Sequence, residues 1–381
     1  MSTLAFARFE VEEVVVPARA DVILPFAPSV EASLPWDRAS ITLVKGFTAD
    51  GLIAYGEADR GTSRARVDRT LNALLNRNLR SFHPATGWAE EPLRLPLPGM
   101  FPPSPLSHST GFEQSLVETL WLDAMGKAAG LPAWSLLGGK FRKRVRVDAW
   151  ANRPPANVLA QLVEQAVAAG YKGMKLKCNA KGDTLHALAE IADSVPHDFE
   201  FTVDPMCAWR SFHESSRLFG KAAGLPFAVR IEDPFPHAAP AEWHRARQGV
   251  AVPLIWHGRS LELVCFALRE QLADGYNVAG QPAFRFLAAA GMLSGVSAQC
   301  WHGSSLELGI QQMARLHACA AAPACEMASD LSSSWVREQT LLVETPAVHE
   351  GTLEVPDRPG LGATLDHEAV TRFRVASWCV E

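Results

Sequence analysis

Three short segments carry residues that could do chemistry together: Lys175-Leu176-Lys177, Asp204 in FTVDP and Glu232 in RIEDP. In a strand, residues i and i+2 share a face, so the two lysines project together. Asp204 and Glu232 each close a short apolar run where a turn begins. Asp204 lies 27 residues beyond Lys177, and Glu232 lies 28 beyond Asp204, about one strand-helix unit each. Two amines and two carboxylates would then line one end of consecutive parallel strands, the end at which barrels of this kind do their chemistry. Two carboxylates can hold a hard divalent cation. A buried lysine beside a cation and a second lysine has its neutral form favoured and can serve as a general base. The cation would stabilise the enolate formed when a proton leaves the carbon next to a carboxylate. Taken singly, each segment has a plainer reading. KLK also suits a solvated strand, and Asp204 and Glu232 also suit caps of the helices that follow. Their order and spacing together favour a site.

The surrounding elements must supply the strands. From about Arg144, short apolar runs alternate with amphipathic helical stretches: VRVDAWAN, GMKLKC, FEFTVD, FAVRIED, VPLIWH and VSAQCWHG read as strands. One interval, NVLAQLVEQAVAAG, places Leu159, Leu162, Val163, Ala166 and Val167 on one helical face and ends at Gly170. This alternation argues for a parallel sheet with crossovers, closed as a barrel. Before it the pattern is mixed. Residues 3–16 and 38–56 read as strands, Arg64–Asn78 and Gly111–Gly130 as helices, the latter stopped by Gly130-Leu131-Pro132. Residues 21–37 form an apolar, Pro-rich stretch that reads as a functional loop, and Pro92–Pro105 as a linker-like excursion. Residues from about 345 return to strand-like sequence.

At 381 residues the chain exceeds what one core usually supports, so two domains are expected. A net charge of −5 without a basic run gives no support for nucleic-acid or membrane partners. No signal peptide or bilayer-length apolar run is found. The seven cysteines form no CxxC pair, which favours free thiols in a reducing, cytoplasmic setting over a zinc finger or redox motif.

These motifs resemble those of the enolase superfamily, in its mandelate racemase and muconate-lactonizing branch. The resemblance runs over nearly the whole length. SLVETLWLDAMGKAAGLPAWSLLGGKFRKRV is similar to the helix leading into that family's barrel. GYKGMKLKC is similar to its KxK strand, FTVDPMCAW and RIEDP to its first two metal-ligand strands, and GVSAQCWHGSSLELG to its seventh strand. The resemblance implies a modified (β/α) TIM-type barrel under an α+β capping domain built from both chain ends. The corresponding expectation is a cap over residues 1–125, a barrel over 126–345 and a return to the cap over 346–381. It also implies Mg2+, a small carboxylate substrate and a homo-oligomer. Lys177 takes the base position, Lys175 the assisting position, and Asp204 and Glu232 the first two ligand positions.

The sequence departs from that family at three strands. The third ligand is ordinarily acidic, yet VPLIWHGRS has no acid; His257 or Gly258 falls near the position. Imidazole suits zinc, iron or nickel better than magnesium, so His257 as a ligand would imply another divalent cation. Arg259 could supply fixed positive charge or be solvated. On the sixth strand, LADGYNVAGQP offers Asn277, with Asp274 just before it, and no lysine. On the seventh, His302 matches the family histidine without its usual aspartate partner. It is a candidate acid on the opposite face, a substrate contact or a structural histidine. Glu307 and Asp330 are further candidates to face the site, Asp330 as the residue closing the eighth strand. Trp301 and Trp256 suit packing or the walls of a pocket.

The function expected is abstraction of the proton α to a carboxylate, giving racemisation, epimerisation or dehydration of an acid sugar or amino-acid derivative. A non-catalytic binding protein on the same fold is the rival from a different class, resting on the missing acidic ligand. A lactonizing enzyme is a second enzymatic reading, set back by the missing lysine.

Overall fold

The computed structural model describes residues 4–23, 40–83, 113–280 and 282–381. Most of the apolar loop read at 21–37 and all of Pro92–Pro105 lie outside the described residues.

Alternating apolar residues build a four-stranded antiparallel sheet from both ends of the chain. β1 (Phe6–Val14) pairs with β2 (Ile41–Thr48), which pairs with β3 (Ile53–Glu57). The stretch read as strand at 38–56 is therefore a hairpin, turning at Gly51 with φ of 88°. The last strand, β13 (Arg374–Val380), lies antiparallel on the other side of β1. One apolar cluster covers this sheet, with Phe6, Phe9, Val44, Leu71, Leu116, Leu120 and Val380 among its members. The helix Gln114–Ala129 packs there and ends at Gly130, whose φ of 66° only glycine adopts freely.

The second unit is a run of seven parallel strands: β5 (Ala149–Ala151), β6 (Gly173–Lys177), β7 (Glu200–Asp204), β8 (Val229–Glu232), β9 (Leu254–His257), β10 (Gly275–Ala279) and β11 (Cys300–Gly303). Their spatial order follows the sequence. β4 (Arg144–Arg146) pairs with β12 (Thr352–Glu354) as a small ribbon at one end. Closure is made by residues 327–330. Met327 N donates to Cys300 O at 3.3 Å and Asp330 N to His302 O at 3.1 Å, while Ser329 bridges Val147 in parallel. The eighth strand is thus reduced to a seam between β11 and β5. This is a modified (β/α) barrel under an antiparallel sheet.

Helices cover the outer face. The helix Ala156–Ala168 buries Leu159, Leu162, Val163 and Ala166. Val167, expected on the same face, is exposed, because it falls at the margin of the buried arc. Ser211 and Ser260 cap the helices that follow β7 and β9, each accepting a backbone N–H three residues on. The helix after β8, Pro240–Gly249, starts from Ala239, so Asp204 and Glu232 cap no helix and are left for the barrel interior. The tail holds a helix the sequence reading missed, His367–Phe373. Its signal was Asp366, which accepts from Glu368 N and Ala369 N at 3.0 Å.

Glu57 ties the sheet to the barrel. It is fully buried at the end of β3 and accepts from Leu308 N at 2.6 Å and Gln311 N at 3.0 Å, at the start of the helix Gly309–Ala321. Those are donors the helix itself leaves unpaired, and a carboxylate there also complements the helix dipole.

Candidate active site

Strand parity places the predicted chemistry inside. On β6, Met174 and Leu176 join the apolar layer under the helices, and Lys175 and Lys177 face inward, 3% and 8% exposed. Lys177 is in register with Asp204 on β7, and its Nζ lies 2.6 Å from Asp204 Oδ2. Lys175 Nζ sits among three carboxylates: 2.9 Å from Glu232 Oε1, 3.0 Å from Asp330 Oδ2 and 3.9 Å from Asp204 Oδ2. Its charge is opposed by burial, but Asp330, Glu232 and Asp204 outweigh that and hold its pKa above the usual lysine range. Lys175 is therefore a fixed cation neutralised by carboxylates.

The carboxylates respond unequally. Burial pushes against Asp204 ionising, yet Lys177 and Lys175 bring its pKa to about 2. Glu232 is pushed up to about 8, by burial first, with Asp204 and Asp330 adding to it against Lys175. Two carboxylates in one buried cluster with pKa values driven apart are a mark of functional sites.

A cavity of about 440 Å³ opens at the carboxyl ends of these strands. Lys175, Lys177, Asp204, Asn277 and Asp330 line it, as do His257 and Arg259. Asn277 Nδ2 donates to Glu232 Oε1 at 2.8 Å, so the amide stands where a sixth-strand lysine was looked for. The ring of His257 faces inward, Nδ1 3.4 Å from Glu232 Oε1. Burial, then the charge of Lys175, keeps its pKa well below the ordinary value.

Four expectations need correction or refinement. His302 does not face the cavity. It shares a face with Val278, its ring centroid lies 4.5 Å from that of Phe286 on the covering helix Ala283–Ser294, and its Nδ1 is 2.8 Å from Gly303 O. The inward position on β11 belongs to Trp301, in register with Asn277, with its ring centroid 5.8 Å from Lys175 Nζ. A one-residue difference in strand phase separates the two readings. Trp301 lies beside the lysine rather than on the cavity wall, and Trp256 packs outward on Trp243 and Phe266; among the described residues Trp150 is the tryptophan that lines the cavity. Glu307 is held by Arg315 at 2.6 Å and by Ser304 at 2.7 Å, away from the lysines.

The sequence reading missed Arg60, Met206, Cys207, Asp233, Ser304 and Ser305, all on the cavity wall. Cys207 and Asp233 follow the predicted carboxylates closely and were within reach of the motif; Arg60 comes from the loop after β3 and had no signal.

The donor set suits a hard cation in part. Asp204 and Glu232 stand on adjacent strands, and two buried oxygens, Glu232 Oε2 and Asn277 Oδ1, lack a hydrogen bond. Lys175 Nζ is 2.7 Å from Glu232 Oε2 but out of line for one.

Residues 158–370 match the family described as enolase C-terminal domain-like, more than half of the chain. The chain belongs to the enolase superfamily. Its sequence relatives in that superfamily include a probable glucarate dehydratase of Streptomyces coelicolor, 30% identical over 296 residues. That match covers 69% of this chain and 64% of the dehydratase, so the chain spans less than two thirds of that relative. A chloromuconate cycloisomerase of Cupriavidus pinatubonensis is 31% identical, over 70% of this chain and 73% of the relative. Among solved structures, the 2-chloromuconate cycloisomerase of Rhodococcus opacus superposes with a TM-score of 0.76 at 17% identity, covering 98% of this chain and all of that one. An N-succinyl Arg/Lys racemase of Bacillus cereus gives the same score at 16% identity, with both chains fully covered. These superpositions establish the fold of the mandelate racemase and muconate-lactonizing family. The protein is accordingly an enzyme of the superfamily, whose matched relatives are lyases and isomerases. Among its described residues, no helix is long and apolar enough to cross a membrane.

Proposed function

We propose that this enzyme removes the proton α to the carboxylate of a small 2,3-dihydroxy acid and expels the 3-hydroxyl, leaving an enol that tautomerises to the 2-keto acid, a dehydration in which Lys177 is the base. The observation that carries this reading is the pairing of faces across the barrel. Lys177 enters the cavity from β6, and the facing strand β10 offers Asn277, an amide that neither takes nor gives a proton at neutral pH. With the His302 ring turned to the helices, the seventh strand gives the cavity no second base among the described residues.

Lys177 takes the Cα proton and becomes an ammonium beside Asp204, whose charge stabilises it. The electron pair left on Cα moves into the carboxylate as an enolate. Collapse of the enolate breaks the Cβ–O bond, and the proton held on Lys177 leaves with the hydroxyl as water. A divalent cation held by Asp204 and Glu232, with His257 beside them, would neutralise the enolate charge. Lys175 keeps fixed positive charge at the same place, and Arg259 and Arg60 give the cavity wall two further cations for substrate carboxylate.

The test is incubation with a panel of acid sugars and hydroxy acids in D2O. Expected are a 2-keto acid product and, in recovered substrate, deuterium at Cα with unchanged configuration. Inversion at Cα would overturn the one-base reading. Neither exchange nor product with any acid would favour the binding-protein alternative.

A further inference from the structure

We propose a second metal site in this enzyme, built by Cys207, Asp233 and His237 for a divalent transition ion of the zinc class. One ligand atom from each lies within 4.8 Å of the other two. Donor atoms of a tetrahedral zinc stand about 3.3–3.8 Å apart, so the trio needs to draw in by roughly an ångström. Thiolate, imidazole and carboxylate together favour zinc-like ions over magnesium, which selects oxygen. The site is thus chemically distinct from the pair Asp204 and Glu232, although it stands on the loops just beyond them.

The trio is held in place before any ion arrives. Asp233 Oδ1 accepts the His257 backbone N–H at 2.9 Å and lies 3.0 Å from His237 Nε2. The bond from His257 N–H is an outer contact of the kind that orients ligands in known metal sites, while the Asp233–His237 contact holds two of the ligands together. The His237 ring stacks on Trp256, centroids 3.9 Å apart and planes 17° from parallel. The two loops are latched by Cys207 N donating to Asp233 O at 2.7 Å and Trp209 N to Pro234 O at 3.1 Å. Cys207 and Asp233 line the cavity, which gives an ion a route in, and His257 Nδ1, 3.9 Å from Asp233 Oδ2, is a further donor close by. Binding would convert the thiol and the ion to a thiolate–metal bond with one proton released to solvent.

The experiment uses the full chain carrying Asp204→Asn and Glu232→Gln, dialysed against Co2+ and, separately, Zn2+. Expected is one retained ion, and with cobalt a thiolate-to-metal charge-transfer band in the near ultraviolet. Adding Cys207→Ser should abolish the band, and adding His237→Ala, which removes a ligand, should weaken binding by more than the roughly 10–100-fold that loss of an outer partner costs. If the doubly substituted chain does not fold, the wild-type chain in excess Mg2+ gives the same cobalt readout. No retained ion, or a retained ion without the band and indifferent to Cys207→Ser, overturns the site. Neither result bears on proton abstraction by Lys177, which is read separately by exchange in D2O.

Discussion

Lys177 and Asp204 are partners twice over: their backbones are in register across β6 and β7, and Lys177 Nζ stands 2.6 Å from Asp204 Oδ2. The base therefore carries its counter-charge with it. Lys177→Ala should lower α-proton exchange by about 10²–10⁴-fold, the usual worth of a general base, while circular dichroism stays native. Exchange at the wild-type rate would remove Lys177 from the chemistry.

Lys175 has a heavier structural duty. Its amine is the cation shared by Glu232, Asp330 and Asp204. Lys175→Met should strip that charge from a buried cluster and destabilise the fold by about 3–5 kcal/mol, as broken buried pairs do. Urea denaturation of the metal-free variants should rank Lys175→Met well below Lys177→Ala. Equal midpoints would mean the cluster tolerates an uncompensated carboxylate.

His302→Gln should leave exchange within a few-fold of wild type, because its ring packs on Phe286 outside the cavity. It should still cost about 1–2 kcal/mol by disturbing the packing and the Gly303 contact. A collapse of activity with unchanged stability would return His302 to the site.

Acidic pH should stabilise the sheet–barrel junction. Glu118, on the helix Gln114–Ala129 and accepting from Phe284 N of the barrel helix Ala283–Ser294 at 3.4 Å, is pushed up to about 8 by burial, from an ordinary value of 4.5. A raised carboxyl pKa means the folded state binds the proton more tightly. Its contribution is thus complete below about 4.5 and is lost as pH climbs to about 8. Asp204, lowered to about 2, adds stability that is constant across this window and lost only in strong acid. Urea midpoints should fall between pH 5.5 and 8.5, and Glu118→Gln should flatten that fall. An identical slope in the variant would assign the effect to other groups.

How far the sequence could be read depended on range. KLK, Asp204 and Glu232 were legible because strand period and unit spacing are local properties, and the barrel orders its strands as the chain does. The His302–Trp301 phase was not, since WHG has no flanking alternation to fix which residue turns inward. Arg60 was out of reach for another reason: it comes to the cavity from the loop after β3, and nothing near it in the chain reports the distant strands. The shrunken eighth strand left Asp330 in place because the Ser329 bridge and the Asp330 N–H to His302 O suffice to pin it.

The pairing of β13 with β1 has a consequence for biosynthesis. The ribosome releases Phe6–Val14 before the barrel strands and Arg374–Val380 only after them. Until then β1 keeps one bare edge, and the apolar cluster beneath it lacks Val380. An unpaired edge is a template for other chains. The nascent protein therefore carries an exposed strand margin from the folding of β1 until Arg374–Val380 emerge.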